Sequence, residues 1–218
     1  MRLDLHSHTL ASADCKTPLE LIAPACKLAG IGVLAITDHN EIWAAQEMQS
    51  HAPPELQIIV GEEVYTSEGE IIGLFLQELI PRGLTPEETV SRIHAQGGLT
   101  LLPHGFDPVK PSRLQPAARR RIEAQLDIIE GLNGHVSWTG WNTQATLWGK
   151  AHEKPLSAGS DAHRSADLGS VYAETPESRI EAPADLLAAL RAGTIHGRWR
   201  NPVLSFFKER LLREPSRT

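Results

Sequence analysis

Cysteine is nearly absent from this chain. There are two in 218 residues, Cys15 and Cys26, far from any CxxC spacing, so neither a disulfide framework nor an all-cysteine zinc site is available. That usage predicts a reducing, cytoplasmic setting. No stretch approaches the roughly 20 apolar residues of a membrane span. Met1 to His6 carries charge and histidine where a signal peptide needs a long apolar run, so a soluble chain with no membrane partner is expected. A formal charge of -6 excludes a broad nucleic-acid or membrane-binding surface. The basic runs at Arg119 to Arg121 and Lys110 to Arg113 are local, and a run like Arg119 to Arg121 reads as a solvated helix face. Low-complexity segments, internal repeats and linkers are missing too, and the length suits one domain spanning 1–218, with a C-terminal helical extension at about 203–212.

Strand and helix signals alternate along the chain. Leu3 to His6 reads as a short strand. Thr17-Pro18-Leu19-Glu20 then offers an N-cap, a proline at the first helical position and a reciprocal Glu, opening a helix that stops near Gly30. Gly32 to Ile36 and Gln57 to Val60 are apolar strands on either side of a helical stretch from Glu41 to Ser50. The same capping grammar recurs at Thr85-Pro86-Glu87-Glu88, before a helix ending at Gly97-Gly98. Further strands are expected at Ile71 to Leu76, Leu99 to Leu102, Asp127 to Leu132 and Pro155 to Ala158. Further helices are expected at Pro116 to Gln125, Trp141 to His152 and Pro183 to Arg191. Continuously apolar strands separated by helices predict a parallel sheet covered on both faces, hence a closed or nearly closed α/β barrel.

Histidines and carboxylates collect where those strands stop. His6 and His8 are one residue apart, so an extended segment points both to one side. Asp161 and His163 share that spacing after Leu156-Ser157-Ala158, His39 ends the second strand, and His104 closes Leu99 to Pro103. Of Glu62 and Glu63 at the end of the third strand, only one can face inward. A lone strand-end histidine is usually a hydrogen-bonded core or surface residue; five of them with carboxylates at one end of successive strands predict a divalent-metal site.

Five ordered motifs now carry a resemblance: Asp4-Leu5-His6-Ser7-His8-Thr9, Ile36-Thr37-Asp38-His39-Asn40, Gly61-Glu62-Glu63-Val64, Pro103-His104-Gly105 and Gly159-Ser160-Asp161-Ala162-His163. Together they resemble the polymerase and histidinol phosphatase (PHP) family of phosphoesterases, from Arg2 to about Tyr172, with an extension into Leu190 to Thr194. The resemblance implies a distorted TIM-like (β/α)7 barrel and two or three divalent ions, zinc, manganese or iron. On that pattern His6, His8, Glu63 and Asp161 would hold one ion. His104, sharing Glu63 as a bridge, would hold a second, and Asp14, His39 and His163 a third. Two departures stand out. Asp14 follows His8 by six residues where many members have five, so the Ser12 to Cys15 loop must bulge. Where some members carry an additional histidine, this chain reads Gly69-Glu70-Ile71; Glu70 either substitutes or is an exposed strand-start residue.

The chemistry follows from metal physics. Two ions about 3.5 to 4 Å apart can bridge one water and lower its pKa toward neutrality, so no protein nucleophile is needed. Asp38 either orients a ligating imidazole or caps a helix with Asn40. Arg164 and Asn133 are candidates to grip phosphate, His135 is the candidate leaving-group acid, and Trp138 and Trp141 either stack on a substrate ring or pack. Relatives acting on nucleoside bisphosphates carry an inserted helical lobe for which His104 to Asp161 leaves no room, predicting an open pocket. The expected activity is hydrolysis of small phosphomonoesters, nucleotide or histidinol-phosphate-like. Two alternatives are a non-catalytic metal-binding PHP module and a metal-dependent amidohydrolase. The latter generally needs a strand-end lysine, whereas Lys27 and Lys150 sit in helical stretches and Lys154 in a turn.

Overall fold

The computed structural model describes residues 1–176 and 179–199. Its strands are β1 (Arg2–Asp4), β2 (Val33–Ile36), β3 (Gln57–Thr66), β4 (Gly69–Leu74), β5 (Leu99–Leu102), β6 (Ile128–Asn133), β7 (Leu156–Gly159), β8 (Val171–Glu174) and β9 (Thr194–Gly197). Its helices are α1 (Ile22–Ala29), α2 (Trp43–His51), α3 (Pro86–Ala95), α4 (Pro116–Ile122), α5 (Thr139–Ala151) and α6 (Pro183–Ala192). They alternate as the apolar runs require. The expected helical extension at 203–212 lies outside the described residues.

One sheet runs in the order β7-β6-β5-β4-β3-β2-β1-β8-β9. It curls until its ends meet: Leu5 N donates to Ala158 O at 3.0 Å, Asp161 N to His6 O at 2.8 Å and His8 N to Ala162 O at 3.0 Å. These bonds tie the chain beyond β1 to β7 and the residues that follow it, and make the sheet a nearly closed, distorted TIM-like barrel. Closure demands a glycine at 159, because a Cβ there would collide with the His6 Cβ and Glu130 Oε1.

Residues alternate across the wall. Leu3, Val33, Ala35, Ile59, Ile72, Leu74, Leu99, Leu101 and Ile128 share one interior cluster, which Leu186, Ala189 and Leu190 of α6 join. Leu34, Ile36, Ile58 and Val60 point outward into a second cluster with Ile22, Met48 and Ile93 of the covering helices. Both faces are buried, which is why the strands read as continuous apolar runs. Each large interior side chain contributes about 1.5 to 3 kcal/mol by leaving water.

The expectation of an all-parallel sheet needs correcting. β4 runs antiparallel to both β3 and β5, and β8 and β9 form an antiparallel pair added to β1. β3 and β4 are joined by a tight turn at Ser67 and Glu68, and so short a connection can only reverse the chain. The capping reading of Thr17 also fails. Leu19–Leu21 is a 3-10 turn, α1 begins at Ile22 without a side-chain cap, and the Thr17 hydroxyl donates instead to His163 O at 3.4 Å. At Thr85 the box is present: Thr85 Oγ1 accepts from Glu88 N at 3.2 Å and Glu88 Oε2 from Thr85 N at 3.1 Å.

Candidate metal centre

The even spacing that puts Ile59 inside the barrel carries on to Glu63, and Glu63 is the hub of the site. Its Oε2 lies 3.2 Å from His6 Nε2, 3.3 Å from His8 Nε2 and 3.2 Å from His39 Nδ1, and its Oε1 lies 3.1 Å from His104 Nε2. Glu62, one residue earlier, points away and accepts from Ile80 N at 2.8 Å. Asp161 Oδ1 faces His6 Nε2 at 3.5 Å and His8 Nε2 at 3.4 Å. Asp14 reaches over the mouth from an exposed loop, its Oδ2 3.5 Å from His39 Nε2 and 3.3 Å from His163 Nε2. His6, His8, Asp14, His39, Glu63, His104, Asp161 and His163 therefore converge.

Backbone geometry serves the convergence. His104 and Asp161 have positive φ, 29° and 53°, a region that side-chain-bearing residues enter at a cost. Asp161 is held there by its closing bond to His6 O and His104 by Glu130, whose Oε2 accepts from His104 N at 2.6 Å.

The charge pattern is that of a cation trap. Burial opposes ionisation of Glu63, but His6 and the donors from His104, His6 and His8 hold its carboxyl well below the usual range. Burial likewise disfavours charge on His8, yet Asp161 and Glu63 raise it to about 9, and Glu63 with Asp161 raises His6 as well. At His39 burial prevails and lowers the pKa. Glu70 is buried and its carboxylate lies 3.5 Å from His104 Nε2 and 3.9 Å from His39 Nδ1; burial and the Glu63 charge push it to about 9. The reading of Glu70 as an exposed strand-start residue is overturned: it shares the interior parity of Ile72. Among the described residues, the buried His39 Nδ1 and Glu70 Oε2 lack a hydrogen-bond partner. Two neighbouring carboxylates and orphaned lone pairs are what a divalent cation satisfies. His6, His8 and Asp161, His6, Glu63 and His104, and His39, Glu63 and Glu70 each bring ligand atoms within 4.8 Å of one another, as do His8, His39 and His163.

The remaining candidates surround this set. Asp38 accepts from Thr9 N, Thr9 Oγ1 and Ser12 Oγ, each at 2.7 Å, and Ser12 Oγ stands 3.0 Å from His8 Nδ1. Asp38 therefore reaches an imidazole through a hydroxyl. Asn133 Nδ2 donates to Asp161 Oδ2 at 3.2 Å and to Glu130 Oε2 at 3.0 Å. His135 stacks on His163 with centroids 6.1 Å apart, and burial lowers its pKa. Arg164 pairs with Asp167 through Nε at 2.9 Å and Nη2 at 2.8 Å. Trp138 is exposed and stands edge-on to Trp141 at 5.4 Å.

Two residues escaped the sequence reading. Glu130, on the interior parity of β6 after Ile128, has Oε1 3.0 Å from His6 Nδ1; an acid alone in an apolar strand was the available signal. Lys110 ion-pairs with Asp161 Oδ2, whereas the sequence shows only that it opens the local basic run Lys110 to Arg113.

Comparison with known proteins places this arrangement. Residues 4–133 match the profile of the PHP domain and 139–195 that of a PHP-associated segment. Two uncharacterized proteins of Methanocaldococcus jannaschii are similar, one 32% identical over 85% of this chain and 75% of its own length, the other 38% identical over 62% and 83%. A two-domain Bacteroides vulgatus protein described as containing a predicted PHP-like metal-dependent phosphoesterase superposes with TM-score 0.71, at 17% identity, over all of this chain and 72% of that one. The lesion-specific endonuclease Q of Pyrococcus furiosus superposes with TM-score 0.66, at 19% identity, over 89% of this chain and 57% of that one.

Proposed function

We propose, from the premise that this chain belongs to the PHP family, that its barrel mouth is the active centre of a metal-dependent phosphoesterase hydrolysing small phosphomonoesters, nucleotide or histidinol-phosphate-like. The observation that carries the proposal is the double-sided Glu63 carboxylate, one oxygen facing His6, His8 and His39 and the other His104. A carboxylate so placed is suited to bridge two ions.

His6, His8, Asp161 and Glu63 would hold the first ion, and His104, Glu63 and Glu70 the second. Asp14, His39 and His163 would hold a third at the solvent side. Zinc, manganese or iron suits this nitrogen and oxygen donor set. Such ions supply acidification of water and neutralisation of charge on phosphoryl oxygens. The chain supplies the rest. Glu130 and the Ser12 to Asp38 relay orient His6 and His8, and the burial of the cluster keeps the local dielectric low, which strengthens each contact to developing charge. His135, held neutral by burial, offers an N–H to a departing oxygen, Arg164 follows His163 at the rim as a candidate phosphate contact, Asn133 is buried and braces Asp161 and Glu130 instead, and Trp138 presents a ring face to a base or other planar group.

The bridging position also favours phosphoesterase over amidohydrolase chemistry. That place is taken by Glu63, while Lys110 stands to the side of Asp161. Among the described residues no helix is long and apolar enough to cross a membrane, and a small phosphorylated partner in a cytoplasmic setting fits the short rim. A screen of phosphorylated compounds after loading with manganese or zinc tests the reading. Turnover that His8→Ala or Asp161→Ala abolishes, with circular dichroism retained, supports it; no turnover at any metal loading contradicts it.

A further inference from the structure

The two oxygens of Asp161 face different neighbours. Oδ1 looks into the histidine cluster, 3.4 to 3.5 Å from His8 and His6 and 3.7 Å from His163. Oδ2 looks the other way, to Asn133 Nδ2 at 3.2 Å and to the Lys110 ammonium. An ion held through Oδ1 therefore leaves the lysine where it is. Lys110 would then remain as a second positive charge beside that ion.

Its side chain is 23% exposed, against 3% or less for His6, His8, Glu63 and Asp161, so it is the part of this cluster that also meets solvent. An ammonium has three donors and its contact with Asp161 uses one. Asp161 is its sole side-chain hydrogen-bond partner among the described residues.

Lys110 is also braced, unlike a surface arm. Three residues earlier, the fully buried Asp107 accepts from Ser137 N at 2.6 Å, Ser137 Oγ at 2.7 Å and Val109 N at 3.0 Å. The loop bearing Lys110 is thereby tied to the loop bearing His135 and Trp138. At its start, Arg119 Nη1 donates to Gly105 O at 2.9 Å while the guanidinium covers the Phe106 ring at 4.0 Å. Beyond Lys110, Ser112 O accepts from Glu70 N at 2.9 Å, and a loop pinned on both sides of the lysine gives the ammonium a defined position despite its flexible stem.

We propose that Lys110 is the phosphate-binding cation of this site, gripping a phosphoryl oxygen next to the ion on Asp161, and that Asp107 is the residue that positions it. The proposal rests on the phosphoesterase reading for its substrate, but not for its test.

Inorganic phosphate is titrated by calorimetry into the metal-loaded protein, with bound metal measured on the same samples. Lys110→Met should keep the wild-type metal content and circular dichroism yet raise the Kd for phosphate by roughly tenfold or more, the loss of one charge-assisted hydrogen bond. Lys110→Arg should recover part of that loss. Asp107→Asn, away from the ions, should weaken phosphate binding in the same direction at unchanged metal content. With a phosphomonoester that is turned over, the Lys110→Met effect should fall mainly on KM. Phosphate binding equal to wild type in Lys110→Met, loss of metal in that variant, or no phosphate binding by the wild type each overturns the proposal. Phosphate binding that depends on Lys110 in a protein that turns over no phosphomonoester would sustain it while ending the phosphoesterase reading.

Discussion

Glu130 Oε1 lies 3.0 Å from Nδ1 of His6, on the side of the imidazole away from Glu63. A carboxylate there makes Nδ1 the protonated nitrogen and leaves the Nε2 lone pair aimed at the centre. Its other oxygen holds the backbone of His104, so one buried acid orients ligands of both proposed ions. Glu130→Ala should lower metal affinity by about 10- to 100-fold. Competition with a chromophoric chelator measures it, and an unchanged affinity would count against the orienting role.

The Asp38 to Ser12 to His8 relay gives a graded expectation. Ser12→Ala removes a single hydroxyl and should cost roughly 1 to 3 kcal/mol, including the His39 N–H it leaves without an acceptor. Asp38→Ala removes the acceptor for Thr9 and Ser12 together and should cost more. Urea denaturation of the two variants gives the order; a larger loss in Ser12→Ala would refute it.

Glu62 makes a pH signature. Burial, with the Glu41 charge behind it, lifts its carboxyl from 4.5 to about 8 against the pull of the Ile80 N–H. The folded state therefore keeps a proton that the unfolded chain has released. This contribution is whole below about pH 4.5 and is lost as pH rises through 8, at about 1.4 kcal/mol per pH unit between. Glu62→Gln should gain stability relative to wild type across that window, and a flat difference would contradict the assignment.

Cys26 is fully buried, and burial with the Asp4 charge pushes its thiol to about 12. Native protein should resist iodoacetamide at Cys26 at pH 8, with alkylation appearing only on unfolding. Rapid native labelling mapped by mass spectrometry to Cys26 would contradict the buried placement.

Much of the fold was legible because its strands are buried on both faces and its glycines and prolines stand at element ends, as at Thr85 to Gly98. The orientation of β4 was not, since an apolar run looks the same in either direction and the deciding turn at Ser67 and Glu68 carries no glycine–asparagine signal. β8 and β9 were missed because half of their residues face solvent and break the apolar run. In the site, strand-end histidines announce themselves, period-two spacing admits only one of Glu62 and Glu63 to the interior, and the family resemblance names Glu63. The same parity, carried from Ile72 back to Glu70 and from Ile128 on to Glu130, would have drawn both acids inward. Lys110 and the Asp107 brace lie on a loop, where no period operates, and only the folded chain brings them to Asp161.

The most direct test of the bridging Glu63 is anomalous diffraction at the zinc or manganese edge from crystals of the metal-loaded protein. At least two peaks should flank the Glu63 carboxylate, one within coordinating distance of His6, His8 and Asp161 and one of His104. A lone peak away from Glu63, or none at the barrel mouth, would contradict it.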